Sequence, residues 1–537
     1  MAEKKQNYLH GAAILTAGVV IMKILGAIYK IPLGNLLGTE AYGHFNAAYA
    51  IYMLMLTVST AGLPVALSRM VSEANTLGRP VQARKTFKVA MIAFCILGVT
   101  LSLLMFAFPT ELAAMMYTAE CTQSIFVLAP AVLLVCITSA YRGYIQGCSN
   151  MIPTTISQVL EVLVKVIVGL ILAWVFVRSG KSDPIQSAGA IFGVTVGSLA
   201  ALIYMFIIYK KKYSEQESNA NEETDSTSSI VKTLLKIGVP ITLGASAMAI
   251  INIIDTALVK YLLPYSAGLS ETVTKDFYGT YSLVLTLYNL PAAFITPLTI
   301  SVVPAIAAAV ADKRRKAASE IASSAIKISS IIAIPMGVGL AVLSEPIVRV
   351  VYPSIENDVG AGILALLGIA SFLVCISLVS NAVLQAHGNE RYQMISMIAG
   401  GLVKIGVNWV LVGNPEINIY GAPIGTICCY TVMCSLNWMF MRKFLEVKPR
   451  LRDTVLRPAL SALVMGGGAW AVYGLLSKLL ASGGELGRMT MLLAMMAAVA
   501  TGVVLYLVMI IATRAITLED MKLIPKGEKL AKLLKIK

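Results

Sequence analysis

Charge is what this sequence has least of. Lysine, arginine, aspartate and glutamate make up 13% of its 537 residues and hydrophobic residues 57%, where soluble domains carry about 25% and about 45–50%. So little charge cannot cover the surface of a water-soluble protein of this length, and a soluble enzyme is excluded. Histidine is nearly absent: His10, His44 and His387 lie far apart in the chain. The eight cysteines form no C-x-x-C or Cys/His ligand spacing, and Cys95, Cys136, Cys375, Cys428, Cys429 and Cys434 sit inside apolar runs, where a thiol packs as a small hydrophobe. Neither a disulfide framework nor a metal site is expected. There is no G-x-x-x-x-G-K-[ST] loop, so active transport by this chain would draw on gradients, not on its own nucleotide hydrolysis. With no catalytic constellation in view, the chain is not expected to be an enzyme.

What it has in abundance is apolar runs of the length that spans a bilayer, about 20 residues. Fourteen can be read, near 11–33, 43–68, 87–108 and onward to 489–512. They are long and continuous, unlike the alternating ten-residue segments of a membrane barrel, so the predicted fold is an all-α integral membrane bundle. The first run, Gly11 to Leu33, exceeds a signal-peptide core and has no convincing cleavage site after it, and is expected to stay as the first span. The net charge of +15 is ascribed to the positive-inside rule and not to nucleic acid. With the N-terminus inside, 31 of the 43 lysines and arginines fall in cytoplasmic segments and 7 in external ones. That bias places both termini in the cytoplasm.

The chain reads as two halves. Residues 213–230 include a polar, acidic stretch, Tyr213 to Ser229, without the apolar side chains that folding needs; it is expected to be a flexible cytoplasmic linker. The six spans before it (1–212) and the six after it (231–445) repeat one another. Leu134–Thr138 with Gln146 matches Leu373–Ser377 with Gln385 at an offset of 239, as Val164-Lys165-Val166 matches Val403-Lys404-Ile405. Ala41-Tyr42-Gly43 resembles Phe277-Tyr278-Gly279. Parallel six-helix repeats imply a two-lobed transporter that works by alternating access. Residues 446–537, two further spans and a basic tail, fall outside the repeat.

A charged side chain at mid-bilayer costs about 2.5–3.5 kcal/mol on insertion scales, so each one needs a reason. Five lysines lie in the runs: Lys23, Lys30, Lys165, Lys327 and Lys404. Only two acids join them, Glu161 and Asp255. Glu161 precedes Lys165 by one helical turn, the favourable order for an ion pair; the two either neutralise each other or exchange that pair for a substrate phosphate. Asp255 is open to three readings: a Na⁺ ligand, a proton carrier, or the counter-charge of a lysine. A surplus of ammonium groups suits an anionic ligand, lysine being a competent phosphate partner, and argues against export of cationic drugs.

The segment Arg142-Gly143-Tyr144-Ile145-Gln146-Gly147, followed by Met151, Pro153-Thr154-Thr155, Ser157-Gln158 and Glu161, resembles a signature of bacterial polysaccharide-biosynthesis flippases. Lys23-Ile24-Leu25-Gly26, Leu37 through Gly43, and Leu63-Pro64 with Ser68-Arg69 and Ser72-Glu73 resemble the same group. These belong to the multidrug/oligosaccharidyl-lipid/polysaccharide flippase superfamily, and the branch they look like is that of stage V sporulation protein B and the lipid II flippases. The resemblance implies a carrier of an undecaprenyl-pyrophosphate-linked saccharide, lipid II for peptidoglycan first among them. Spore-cortex, teichoic or capsular units are alternatives, as is a multidrug-type exporter. It implies membrane lipid and cell-wall synthesis proteins as partners, with roles in cell shape or sporulation, and no nucleic acid.

By its context Lys23 matches a cavity-lining cation of the lipid II flippases, with Lys30, Arg142, Glu161 and Lys165 as further substrate-binding candidates. Arginines that other members carry in spans one and two have no counterpart, Tyr29 and Met53 falling near their places. Some members bind Na⁺ between spans seven, eleven and twelve. Asp255, Asn408 and Thr426 fit that pattern, and Lys404, one turn before Asn408, puts an ammonium where the ion would sit. No cofactor is expected beyond Na⁺, H⁺ or the membrane potential as coupling term.

Overall fold

The computed structural model describes residues 8–213, 222–355, 358–447, 452–480, 487–513 and 515. Among them there is no strand. Helices α1 (Tyr8–Thr60), α2 (Leu63–Thr76), α3 (Pro80–Ala107), α4 (Pro109–Met115), α5 (Thr122–Gly147), α6 (Ile152–Arg178) and α7 (Asp183–Lys212) precede the acidic segment. After it come α8 (Thr227–Tyr265), α9 (Glu271–Tyr288), α10 (Leu290–Ala311), α11 (Arg315–Val342), α12 (Ser344–Val351) and α13 (Val359–Ala386). The last are α14 (Glu390–Val412), α15 (Gly421–Met441), α16 (Arg457–Leu480) and α17 (Arg488–Ala512).

Among the described residues, 13 helical stretches are long and apolar enough to cross a membrane, so this is a multi-pass membrane protein. The first stretch, Gly18–Thr76, has 59 residues. At about 1.5 Å per residue it is long enough for two crossings of a hydrocarbon core about 30 Å thick, which accounts for fourteen apolar runs in the sequence. Separate helices were expected over 11–33 and 43–68, and α1 is two helices that meet at a kink at Gly38 (φ 73°, ψ −175°), the second of the expected spans continuing past Thr60 into α2. That left-handed backbone suits glycine, and the expected connector at 34–42 is otherwise helical.

The chain divides into two compact units, residues 1–261 with 271–279, and residues 262–270 with 280–537. In the first, Leu67 and Val71 of α2, Phe87 and Phe94 of α3, Tyr144 of α5 and Leu234 of α8 form a buried core. One face of α6 turns outward with Ile156, Leu163, Ile167, Ile171 and Trp174 exposed, the apolar stripe that lipid requires. In the second unit α10, α11, α13 and α15 share a core around Ile306, Ile326, Val379 and Phe440. The two spans outside the repeat, α16 and α17, pack on α11 there, through Ala462, Met465 and Tyr506 against Ile331 and Ile334.

Of the acidic segment, residues 214–221 lie outside those described. Residues after them are tied to the start of α3. The Glu222 carboxylate accepts the N–H groups of Val81 (3.0 Å) and Gln82 (2.8 Å), filling the unsatisfied donors of a helix N-terminus. The Gln82 side chain and Asp225 exchange hydrogen bonds (3.0 and 2.8 Å), and Lys85 donates to Thr224 (3.1 Å). This part of the segment, read from composition as flexible, has fixed partners.

Candidate functional site

The cavity that gathers three of the five substrate-binding candidates, Arg142, Glu161 and Lys165, lies within the first unit. It has a volume of about 340 Å³, near the lower end for ligand sites. Tyr49 and Tyr52 of α1, Ser139, Arg142 and Gln146 of α5, and Gln158, Glu161 and Lys165 of α6 contribute to its wall.

The helices that carry these residues are drawn together by glycines. On α7, Gly193 and Gly197 lie against α6 so closely that an added Cβ would stand 2.6 Å from the Gly169 nitrogen and 2.5 Å from the Glu161 carbonyl oxygen respectively. On α5, Cβ atoms at Gly143 and Gly147 would stand 2.9 Å from the Pro64 carbonyl oxygen and 2.8 Å from that of Ser68 on α2. Small residues four apart are how helices approach in a membrane, where burial from water supplies no attraction between them. Five positions of the signature segment are thereby explained. Its glycines seat α5 on α2, Tyr144 joins the rings of Phe87 (4.6 Å) and Tyr209 (5.7 Å), and Arg142 and Gln146 face the cavity.

Glu161 does not pair with Lys165. Its carboxylate accepts a hydrogen bond from Arg142 at 2.8 Å and another from Ser198 at 3.3 Å. This corrects the expected one-turn pair: a guanidinium from α5 competes for the same acid and offers the stronger, charge-assisted geometry. Lys165 is left with aromatic company, its ammonium 5.8 Å from the centre of the Tyr29 ring and 6.0 Å from that of Tyr49. Among the described residues no carboxylate pairs with it. Tyr29 holds its own position by donating to the Ala190 carbonyl at 3.2 Å. Lys30 reaches the Tyr49 ring at 5.8 Å, so one ring stands near both ammonium groups. Lys23 falls on α1, but its side chain lies outside the described residues.

The ion-coupling candidates divide between the units. Asp255 is buried on α8 in the first. In the second, Lys404 and Asn408 are buried on α14 and Thr426 on α15. The helices meet there at Gly425, on which a Cβ would strike the Asn408 amide oxygen. Thr426 spends its hydroxyl on the Ala422 carbonyl at 3.0 Å.

Two residues were passed over in the sequence. Lys260, counted with the external connectors, is buried, donates to Thr118 and lies 4.1 Å from the Tyr278 ring centre. Lys275 bridges Glu120 (2.7 Å), Glu271 (2.9 Å) and Glu40 (3.8 Å). Only the Glu271–Lys275 spacing of one turn was visible in advance.

Comparison with known proteins bears on this arrangement. The chain is 27% identical to the uncharacterized membrane protein YabM of Bacillus subtilis (strain 168), over 99% of this chain and 97% of that one. Stage V sporulation protein B of the same organism is 26% identical over 84% of this chain and 87% of its own length, and its lipid II flippase MurJ 24% over 85% and 87%. Among solved structures, lipid II flippase MurJ in an inward closed conformation matches with a TM-score of 0.70 at 15% identity, covering 94% of this chain and 99% of that one. An inward-facing multidrug resistance MATE transporter matches with a TM-score of 0.66 at 16% identity, over 80% and 97%. The MatE family model matches residues 240–410. The model of the polysaccharide biosynthesis protein family matches residues 8–310, more than half of the chain, and the protein belongs to that family.

Proposed function

We propose that this protein is a membrane flippase that moves an undecaprenyl-pyrophosphate-linked saccharide, lipid II first among them, from the inner to the outer leaflet by alternating access. One observation carries the reading: the Lys165 ammonium borders a cavity in which the wall's acid, Glu161, is already taken by Arg142. A cation without a counter-ion in a low-dielectric site is an anion acceptor, and a lysine binds phosphate as a point charge. Lys165 therefore takes the diphosphate, and Lys30 and Lys23, both of α1, add positive charge to the same unit. Gln146 and Gln158 supply amide groups for the first sugar, and the polyprenyl tail stays in lipid. The named relatives among the flippases and sporulation proteins support this substrate class.

Export of small cationic molecules is the competing reading. A cationic drug needs a free carboxylate, and among the described wall residues Glu161 is the sole acid and is paired. For coupling, the membrane potential is the term we favour. Asn408 and Thr426 offer oxygen atoms to Na⁺, but the ammonium of Lys404 on the same helix would repel it, and Asp255 remains the proton-carrying alternative.

The test is rescue of a strain depleted of its lipid II flippases, read by the accessibility of lipid II to an external degrading enzyme. The wild-type chain is expected to restore accessibility and growth. Lys165→Met is expected to lose at least about 90% of it at equal abundance in the membrane. Full rescue by Lys165→Met removes the assignment.

A further inference from the structure

Lys165 is available because something else holds Glu161. The two residues are one turn apart on α6, a spacing at which glutamate and lysine ordinarily meet. Ser157 is one turn from Glu161 in the other direction. Arg142, reaching across from α5, lies along this face: its Nε and Nη2 donate to the Ser157 hydroxyl at 2.9 and 2.6 Å, and its Nη2 donates to Glu161 Oε2 at 2.8 Å. The other carboxylate oxygen, Oε1, accepts from Ser198 of α7 at 3.3 Å. Side-chain exposure is 11% for Arg142 and 20% for Glu161, so the pair is mostly shielded and the geometry is held from two neighbouring helices. Through the Nη2 of Arg142, which bonds both, the carboxylate is tied to Ser157, one turn away in the direction opposite to Lys165.

We infer that Arg142 is a positioning residue: by binding Glu161 against Ser157 it withholds the carboxylate from Lys165 and so keeps that ammonium open to the anionic group of the substrate. The inference rests on the reading of Lys165 as the anion acceptor. It assigns Arg142 a role without substrate contact, and it makes Glu161 an internal competitor of the substrate whenever Arg142 is lost. Removing the competitor should then repair the loss of its keeper, which a substrate-touching arginine does not predict; a merely structural arginine is told apart because Arg142→Gln, whose freed Glu161 finds Lys165, should weaken binding while its melting temperature stays close to that of wild type.

The experiment uses the purified full chain in detergent, with farnesyl pyrophosphate as the probe, and titration calorimetry. Arg142→Gln is expected to weaken binding about tenfold or more, and Arg142→Gln/Glu161→Gln to return it to within about threefold of wild type. The double variant keeps two amides of similar length that can bond to each other, and a single Arg142→Gln that fails to fold while the double variant folds overturns the inference in favour of a structural pair. Lys165→Met serves as the separate check on the underlying reading. Wild-type binding by Lys165→Met overturns that reading. Loss in Lys165→Met with near-wild-type binding by Arg142→Gln overturns the inference alone. So does a double variant as weak as the single, because Arg142 would then be touching the anion itself.

Discussion

At the scale of single residues, partner choice decides chemistry, and sequence spacing shows only the candidates. Glu161 and Lys165 satisfy the one-turn rule, yet the acid is bound by a residue 19 positions earlier. A helix carries its own i,i+4 neighbours in its sequence; an arginine delivered by another helix is invisible until the packing is known. The same limit hid Lys260, whose place at the end of an apolar run reads as part of an external connector and not as a buried side chain. Cys148, between the spans that end at Gly147 and begin at Ile152, gives a residue-scale prediction. Burial pushes its thiol up to about 11, and Asn75 donates to its sulfur at 3.7 Å. A raised thiol value means that the neutral form is favoured in the fold, so the associated stability holds at neutral pH and fades as pH rises through about 11. Because only the thiolate reacts, alkylation by iodoacetamide at pH 8 should be at least about tenfold slower than for an unfolded control, and should climb about tenfold per pH unit up to pH 10. A rate at pH 8 equal to the unfolded control would contradict it.

At the scale of elements, the spans were legible because a bilayer demands their length and hydropathy. Their contacts were not, since lipid-facing and helix-facing sides are both apolar. What separates the sides is the glycine. Gly193 and Gly197 mark where α7 meets the stretch of α6 that carries Glu161 and Lys165, while the outward stripe of α6 is built of large side chains. Acidic composition hides partners of another kind: Glu222 and Asp225 bond the start of α3, a carboxylate being what a helix N-terminus recruits. The glycine argument is testable with two substitutions of equal chemistry. Gly193→Ala places a methyl group 2.6 Å from a backbone nitrogen and must spread the α6–α7 pair, so it should cost about 1–3 kcal/mol and weaken anion binding with it. Gly406→Ala, in α14 with open space around it, should be neutral or stabilise by up to about 1 kcal/mol. Thermal unfolding of both purified variants checks this, and equal melting temperatures would defeat the packing account.

At the scale of the whole molecule, duplication and charge asymmetry carry the transport argument, because neither depends on any single contact. A repeated six-span unit suggests two states of one carrier, and a loop bias of 31 cationic residues against 7 suggests which side each end of the helices faces. The net sign of the membrane interior then predicts how the carrier resets. A site in which Lys165 has no matching acid among the described residues is positive when empty and close to neutral or negative when it holds a diphosphate. A potential negative on the cytoplasmic side therefore pulls the empty site inward and does not hold back the loaded one. One charge crossing 100 mV is worth about 2.3 kcal/mol, so the return step gains at most about fiftyfold. In liposomes containing the purified chain and lipid II, a potassium diffusion potential with the cytoplasmic face negative should speed multiple turnover severalfold and leave a single loaded passage unchanged. Dissipating the potential with a proton gradient intact should return turnover to its basal rate. If turnover ignores the potential and follows that proton gradient instead, the empty lysine site does not drive the return, and Asp255 becomes the residue whose neutralisation must stop it.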